Sequence, residues 1–428
     1  MEAKKKIVVI GGGFGGLAVV QGLKRANAEI TLIDKRNHHL FQPLLYQVAT
    51  AGLSASDIAW PIRSILAKQD NVRVVLGDVT SVDTKSKKVI TNDNEYEYSY
   101  DHLVIATGAR HSYFGNDQWE PSAPGLKRII DAIEIRKRVL IAFERAEIAL
   151  DEAERRRLLT FFIIGGGPTG VEIAGAIAEL ANHALTREFR SIDPGSARIV
   201  LAHGTDRLLP AFPEDLSAYA KEALEKLGVE IILNKIVSVD GDQGVSMDGE
   251  NTPSATVIWA AGVYVPRVAN WLDIKTDPSG RIPVGDDLTI EGVPDVYVIG
   301  DAALASWKEG SVPGIAPAAK QAGGFVAKAL HAQLGTGSDP GVFKYKHKGN
   351  LATIGRHSAV VDFGKLRFKG AFAWWLWGVA HIYFLIGVRA PLIVATQWFW
   401  SYLTYGKGAR LITGAMPLFN LPKEKKDE

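Results

Sequence analysis

The 428-residue chain contains no cysteine. That excludes disulfides, cysteine-ligated iron–sulfur clusters and a redox-active dithiol, and with them a thiol-based reductase. It fits a reducing compartment. There is little net charge, +2 in all. No EF-hand loop and no metal-ligand cluster can be read, and His38, His39 and His111 read as solvent or core contacts. No apolar leader with a cleavage site precedes the first strand, since Lys4-Lys5-Lys6 runs straight into it, so no export is indicated. Long uncharged runs are missing as well. The best, 371–406, carries Arg389 as its only formal charge but breaks at Gly387-Val388-Arg389-Ala390-Pro391. It predicts two helices of about 15–17 residues, each short of the ~20 that a bilayer span needs.

Glycine is what the chain does have, in two matching places. Gly11-Gly12-Gly13-Phe14-Gly15-Gly16 follows the apolar run 7–10, and Gly165-Gly166-Gly167-Pro168-Thr169-Gly170 follows 161–164. Each reads strand, glycine turn, helix. Gly11 and Gly165 permit the tight turn, Gly13 and Gly167 let a pyrophosphate reach bare backbone, and Gly16 and Gly170 allow close helix packing. The helix start then offers free N–H groups to phosphate. A single motif of this kind can be a ligand-free turn. Two on one chain imply electron transfer between two nucleotides.

The repeat extends beyond the glycines. NVRVVLGDVTSVD at 71–83 parallels GVEIILNKIVSVD at 228–240, and LVIATGA at 103–109 parallels VIWAAGV at 257–263. We expect an α/β protein with two dinucleotide-binding units, the second inserted in the first. Residues 1–115 and 271–340 form the first unit. Residues 116–270 form the second, opening with a connector at 116–160 whose charged helical run spans 129–157. A strand and turn at 296–301 and a helix over 316–334 return the chain to the first unit. The loop at 334–341 opens a C-terminal region, 341–428.

That region has 13 Lys and Arg against 4 Asp and Glu, which leaves the rest acidic by 7. Between 371 and 406 lie Trp374, Trp375, Trp377, Tyr383, Trp398, Trp400, Tyr402 and Tyr405, with Lys365, Arg367, Lys369, Lys407 and Arg410 on the flanks. Aromatic helices with basic flanks fit a segment lying in a membrane interface. A hairpin would put Arg389 on the far side, against the positive-inside bias. A buried core or a dimer surface is the plainer alternative. Nucleic acid has no motif here.

These segments resemble the type II NADH:quinone oxidoreductases, single-subunit NADH dehydrogenases. The resemblance covers nearly the whole chain, and its specific parts are HLFQPLLYQVATAGL at 39–53, APAAKQAG at 316–323 and QWFWSYLTYGKGARLITG at 397–414. It implies FAD in the first unit, NADH in the second, and a quinone as electron acceptor at the cytoplasmic face of a membrane. It makes Gly11, Gly13, Phe14, Gly15, Gly16, Asp34, Lys35, Pro43, Val79, Ala106, Thr107, Gly108, Asp301, Ala316 and Pro317 the expected FAD residues. For NADH it implies Gly165, Gly167, Pro168, Thr169, Gly170, Glu172, His203 and Gly262. For the quinone it implies Gln42, Tyr46, Lys320, Gln321 and His381. Glu172 and Gln321 are the catalytic candidates, Glu172 as a helix-start acid that meets nicotinamide and relays protons.

Two positions depart from the family pattern. His203 stands where members that prefer NADH commonly carry an acid, with Arg207 nearby, so NADPH is not repelled. Pro317 stands where relatives often have Gln. A soluble FAD reductase serving a protein carrier, or a flavin-binding sensor, is the rival reading. Sulfide:quinone oxidoreduction falls with the missing cysteines.

Overall fold

The computed structural model describes residues 4–413 apart from 93–94, 309, 387–388, 405 and 407. It divides into two compact units. The first holds residues 1–41, 58–115 and 262–350; the second holds 42–57, 116–261 and 351–428. The chain thus leaves the first unit at 115 and re-enters it at 262. The segment 42–57 and everything from 351 pack with the second.

In the first unit a six-stranded sheet runs Thr289–Ile290, Val293–Val298, His102–Ile105, Lys5–Ile10, Ala28–Asp34, Val72–Leu76. All neighbours are parallel except the first pair. Ile7, Val9, Leu103 and Val104 are fully buried, as a parallel sheet covered on both faces requires. Gly11 sits at φ +103°, and a Cβ there would lie 2.3 Å from the carbonyl oxygen of Ala106. The motif helix Phe14–Gly22 lies against the helix Ala316–Gln333. They approach so closely that a Cβ on Gly323 would meet the Gly15 carbonyl at 2.4 Å.

The second unit repeats the plan with four parallel strands, Val229–Ile232, Arg198–Ala202, Thr160–Ile164 and Thr256–Trp259. Gly165, at φ +117°, makes the equivalent turn into the helix Pro168–Glu179. Here the cover differs. The strand Asn350–Gly355 belongs to a three-stranded sheet with Ser358–Asp362 and Arg367–Gly370. Its Ile354 carbonyl oxygen comes within 1.8 Å of where a Cβ on Gly175 would be, so only glycine fits. The helix Ala371–Phe384 packs on that sheet, and Arg389–Thr404 follows.

The expected single run over 129–157 is two helices, Ile129–Ile148 and Glu152–Leu158. The Asp151 carboxylate accepts the Glu154 amide at 2.9 Å and caps the second. Of the expected break at 387–391, Gly387, Val388 and the Arg389 side chain lie outside what is described, as do Tyr405 and Lys407. Among the described residues no helix is long and apolar enough to cross a membrane. Phe372, Trp375, Val379, Tyr383, Leu392, Phe399 and Trp400 are nonetheless exposed on the two terminal helices.

Candidate functional site

Three places carry chemistry: one glycine turn in each unit, and a cleft in the second. At the first turn the Asp34 carboxylate, buried at its strand end, accepts the Gly12 amide at 2.6 Å and the Arg36 amide at 2.7 Å. His39 Nδ1 donates to the Gly12 carbonyl at 3.0 Å. A Cβ on Gly13 would meet no atom within 4 Å, whereas one on Gly16 would strike the Gly11 oxygen at 1.9 Å. The space beside Gly13 is therefore open and the turn beneath it closed. Ala106, Thr107 and Gly108 follow the neighbouring strand, with Gly108 at φ +69° and the Thr107 hydroxyl buried without a partner. Asp301 lies in the turn Gly300–Ala302 against Gly314. Ala316 and Pro317 open their helix, where a missing N–H costs nothing. Phe14 and Gly15 are in the motif helix, Lys35 is exposed, and Val79 begins a separate antiparallel strand.

The second turn copies the first. Gly167 is open, and a Cβ on Gly170 would lie 1.8 Å from the Gly165 oxygen. Pro168 and Thr169 start the helix. His203 occupies the position that Asp34 has in the first unit and packs against Gly166, equivalent to Gly12. It is half-buried, burial lowers its pKa below 6.5, and its Nε2 has no partner. Arg207 is held away by the Pro210 carbonyl at 3.2 Å and Glu214 at 3.4 Å. Gly262, expected with NADH, falls by its contacts to the first unit, against Phe114.

Glu172 corrects one expectation. The helix begins at Pro168 after the cap Gly167, and no acid lies in its first turn. Glu172 is one turn further in, where the helix dipole contributes little. It is instead buried, 9% exposed. Burial raises its pKa well above the usual carboxylate range, and the Thr353 backbone amide opposes this only in part.

Glu172 and Glu179 both line an open cleft, together with Tyr46, Gln47, Arg356, Trp374, Trp377, Trp398 and Tyr402 among others. Every lining residue belongs to the second unit. Tyr46 is 6% exposed, and burial followed by the nearby Glu172 charge pushes its phenol up. Trp377 and Trp398 stack with ring centres 5.1 Å apart. Glu179 accepts the Arg356 amide, and the Arg356 guanidinium lies 4.9 Å above the Tyr402 ring. Reasoning from sequence missed Gln47, Glu179, Arg356 and Trp398. The one available signal was Glu172 and Glu179 seven apart on a helix, hence on one face.

The other expected quinone residues do not line this cleft. Gln42 donates to the Lys127 carbonyl at 2.9 Å. Gln321 is engaged at both ends of its amide by the Lys346 backbone, at 2.9 and 3.0 Å, in the first unit, where Lys320 also lies. His381 is half-buried against Trp377, with Nδ1 donating to the Trp377 carbonyl at 2.7 Å, and desolvation lowers its pKa to about 4. Pro43 lies in the short helical turn Gln42–Leu44 of the second unit.

Residues 5–323 match the family model for pyridine nucleotide-disulphide oxidoreductases, and 347–405 match the NDH2 C-terminal domain. Two type II NADH:quinone oxidoreductases of Mycobacterium tuberculosis, NdhA and Ndh, are 42% and 43% identical over 96% of this chain and 90% of theirs. A Staphylococcus aureus protein of the same description is 31% identical over 85% of this chain and 91% of its own. The fold matches the structure of NDH2 from Plasmodium falciparum in complex with NADH, with a TM-score of 0.85 over 96% of this chain and 100% of that one at 22% identity.

Proposed function

This chain belongs to the type II NADH:quinone oxidoreductases, and from that premise we propose how its own residues divide the work. The enzyme is FAD-dependent, oxidises NADH, reduces a quinone and pumps no protons. The first turn suits FAD. The open space at Gly13, the unpartnered Thr107 hydroxyl and the left-handed Gly108 form a cradle that protein atoms leave empty. Asp34, already fixed by two backbone amides, would take the ribose hydroxyls with its remaining lone pairs. Lys35, Val79, Asp301, Ala316 and Pro317 complete the set. When bound, the flavin supplies a two-electron store between donor and acceptor.

In the second unit Gly165, Gly167, Pro168, Thr169 and Gly170 hold the NADH pyrophosphate, with His203 at the adenosine ribose. Glu172 lies on the nicotinamide side of this reading. The cleft takes the quinone head. Its stacked indoles offer a flat apolar wall. Tyr46 offers a phenol proton and Glu172 a carboxyl kept neutral by burial. Quinone reduction consumes two protons, and a buried neutral acid is a proton source at its edge. Gln42 and His381 would then support the site from outside the cleft.

Among its described residues no helix is long and apolar enough to cross a membrane. We read the exposed aromatics of 371–404 as lying in a lipid surface on the cytoplasmic face, where NADH is found. Neutral cleft walls of tryptophan and a carboxyl raised by burial are the observations that carry the quinone reading. The experiment is anaerobic. NADH should bleach the flavin spectrum and a quinone should restore it, while persistence of the bleached state with quinone would sink the proposal. Replacing Trp375, Phe399 and Trp400 with serine should release the protein from liposomes and spare ferricyanide reduction.

A further inference from the structure

One wall of the cleft contains a hydrogen-bonded chain with a fixed direction. The Trp398 indole Nε1 donates to the Gln47 amide oxygen at 2.7 Å, and the Gln47 Nε2 donates to the Tyr46 hydroxyl at 2.8 Å. An indole N–H is a donor only. It therefore decides which way the Gln47 amide faces, since only the oxygen can meet it. The amide's nitrogen is then turned to Tyr46, and the phenol oxygen can only accept on that side. The phenol proton has to leave in another direction, and Tyr46 lines the cleft.

We propose that Trp398 and Gln47 are positioning residues that orient the Tyr46 hydroxyl as a hydrogen-bond donor to a carbonyl oxygen of the quinone in the cleft. The inference rests on the quinone reading given above. It makes the terminal helix Arg389–Thr404 part of the reaction site as well as part of the apolar surface. Donation from the amide to the phenol oxygen also eases loss of the phenol proton, opposing the rise that burial imposes. As electrons reach the quinone its oxygen gains negative charge, and a donor already aimed at it needs no reorientation at that moment.

The test uses Gln47→Glu, which keeps size but reverses direction. At pH 8 an ionised carboxylate is acceptor-only. It would accept from Trp398 and from Tyr46 alike, turning the phenol proton out of the cleft. Gln47→Leu removes both bonds and leaves the phenol free to rotate toward the quinone. A packing role predicts Leu to be the worse change; a directional role predicts Glu.

In full-length protein, we expect Gln47→Glu to slow flavin reoxidation by quinone on the order of tenfold to a hundredfold. Gln47→Leu and Trp398→Phe should cost less, and reduction by NADH should be unchanged in all three. Infrared difference spectra give a readout apart from turnover. The bound quinone's carbonyl stretch should be lowered in the parent and in Gln47→Leu. It should return toward the free value in Tyr46→Phe and Gln47→Glu. If Gln47→Glu keeps the lowered stretch, or Gln47→Leu is the slower enzyme, the directional role is overturned. Ala176→Phe, which fills the cleft, separates the two failures. Quinone binding that survives it overturns the cleft reading itself. Binding lost in Ala176→Phe with an unaltered stretch in Gln47→Glu overturns only the directional role.

Discussion

Asp34 and His203 end equivalent strands of the two nucleotide units, and their surroundings differ in kind. Asp34 is buried and tied to two backbone amides; His203 is half-buried with a ring nitrogen that nothing satisfies. The helices beyond the two turns differ likewise. One is covered by a helix, Ala316–Gln333, the other by a strand, Asn350–Gly355. One turn thus serves two purposes. A preformed acid with little freedom suits a cofactor that stays, and an unsatisfied imidazole suits a substrate that exchanges.

The strongest way to break this comparison is to fill each turn separately. Gly13 and Gly167 have φ of −75° and −74° and open space around the missing Cβ, so valine disturbs only the ligand's path. Gly13→Val should purify colourless. Gly167→Val should stay yellow, be bleached by dithionite and resist NADH. Each should lose more than about a hundredfold in turnover, the scale set by an excluded ligand. Flavin retained in Gly13→Val would undo the assignment of the first turn.

The covers can be compared next. A methyl on Gly175 would collide with the Ile354 carbonyl at 1.8 Å, and one on Gly323 with the Gly15 carbonyl at 2.4 Å. Both alanine variants should be destabilised, by roughly 3 kcal/mol for Gly175→Ala and less for Gly323→Ala. Thermal melts would rank them. The reverse order would mean that the strand yields more readily than the helix.

His203→Glu sharpens the comparison by giving the second unit its acid. The ratio of kcat/KM for NADH over NADPH should rise by about 1–3 kcal/mol, or roughly fivefold to 150-fold. Because burial lowers the His203 pKa, the ring is neutral at pH 7, so the parent's gain with NADPH should come below pH 6.5. Equal ratios in parent and variant would remove His203 from the 2′ position.

The smallest effect concerns Glu172. Its folded pKa is raised, so the folded state holds a proton that the unfolded chain releases above pH ~4.5. Its contribution is therefore full below that pH and falls as pH rises toward the folded pKa. Glu172→Gln should flatten this decline and be the more stable form at pH 8. Parallel stability–pH curves would show that the carboxyl is not desolvated.

The two turns, their strands and the 316–333 helix were legible in the sequence, because glycine placement and β-branched runs are local signals. Expectation and structure differ by one residue at that helix end. The break at 149–151 was also written there, as Asp151 three residues before Glu154, but the charged periodicity on both sides masked it. The cleft was only half legible. Tyr46 and Glu172 stood in recognisable segments. Gln47 and Trp398 stood in such segments too, and Arg356 did not, but the roles of all three arise from partners distant in the chain. Gln321 shows the converse, for a motif residue can spend its amide on a nearby backbone.

The bond between Trp398 and Gln47 joins positions 351 apart in sequence. A ribosome delivers about 5–20 residues per second, and contacts of such separation close late. Both glycine turns can therefore be complete while one wall of the cleft has yet to be synthesised. Entry to service is staged by the order of synthesis, with nucleotide binding available first and quinone access last. A chain cut near residue 350 would lose that wall together with the strand that covers the second motif helix.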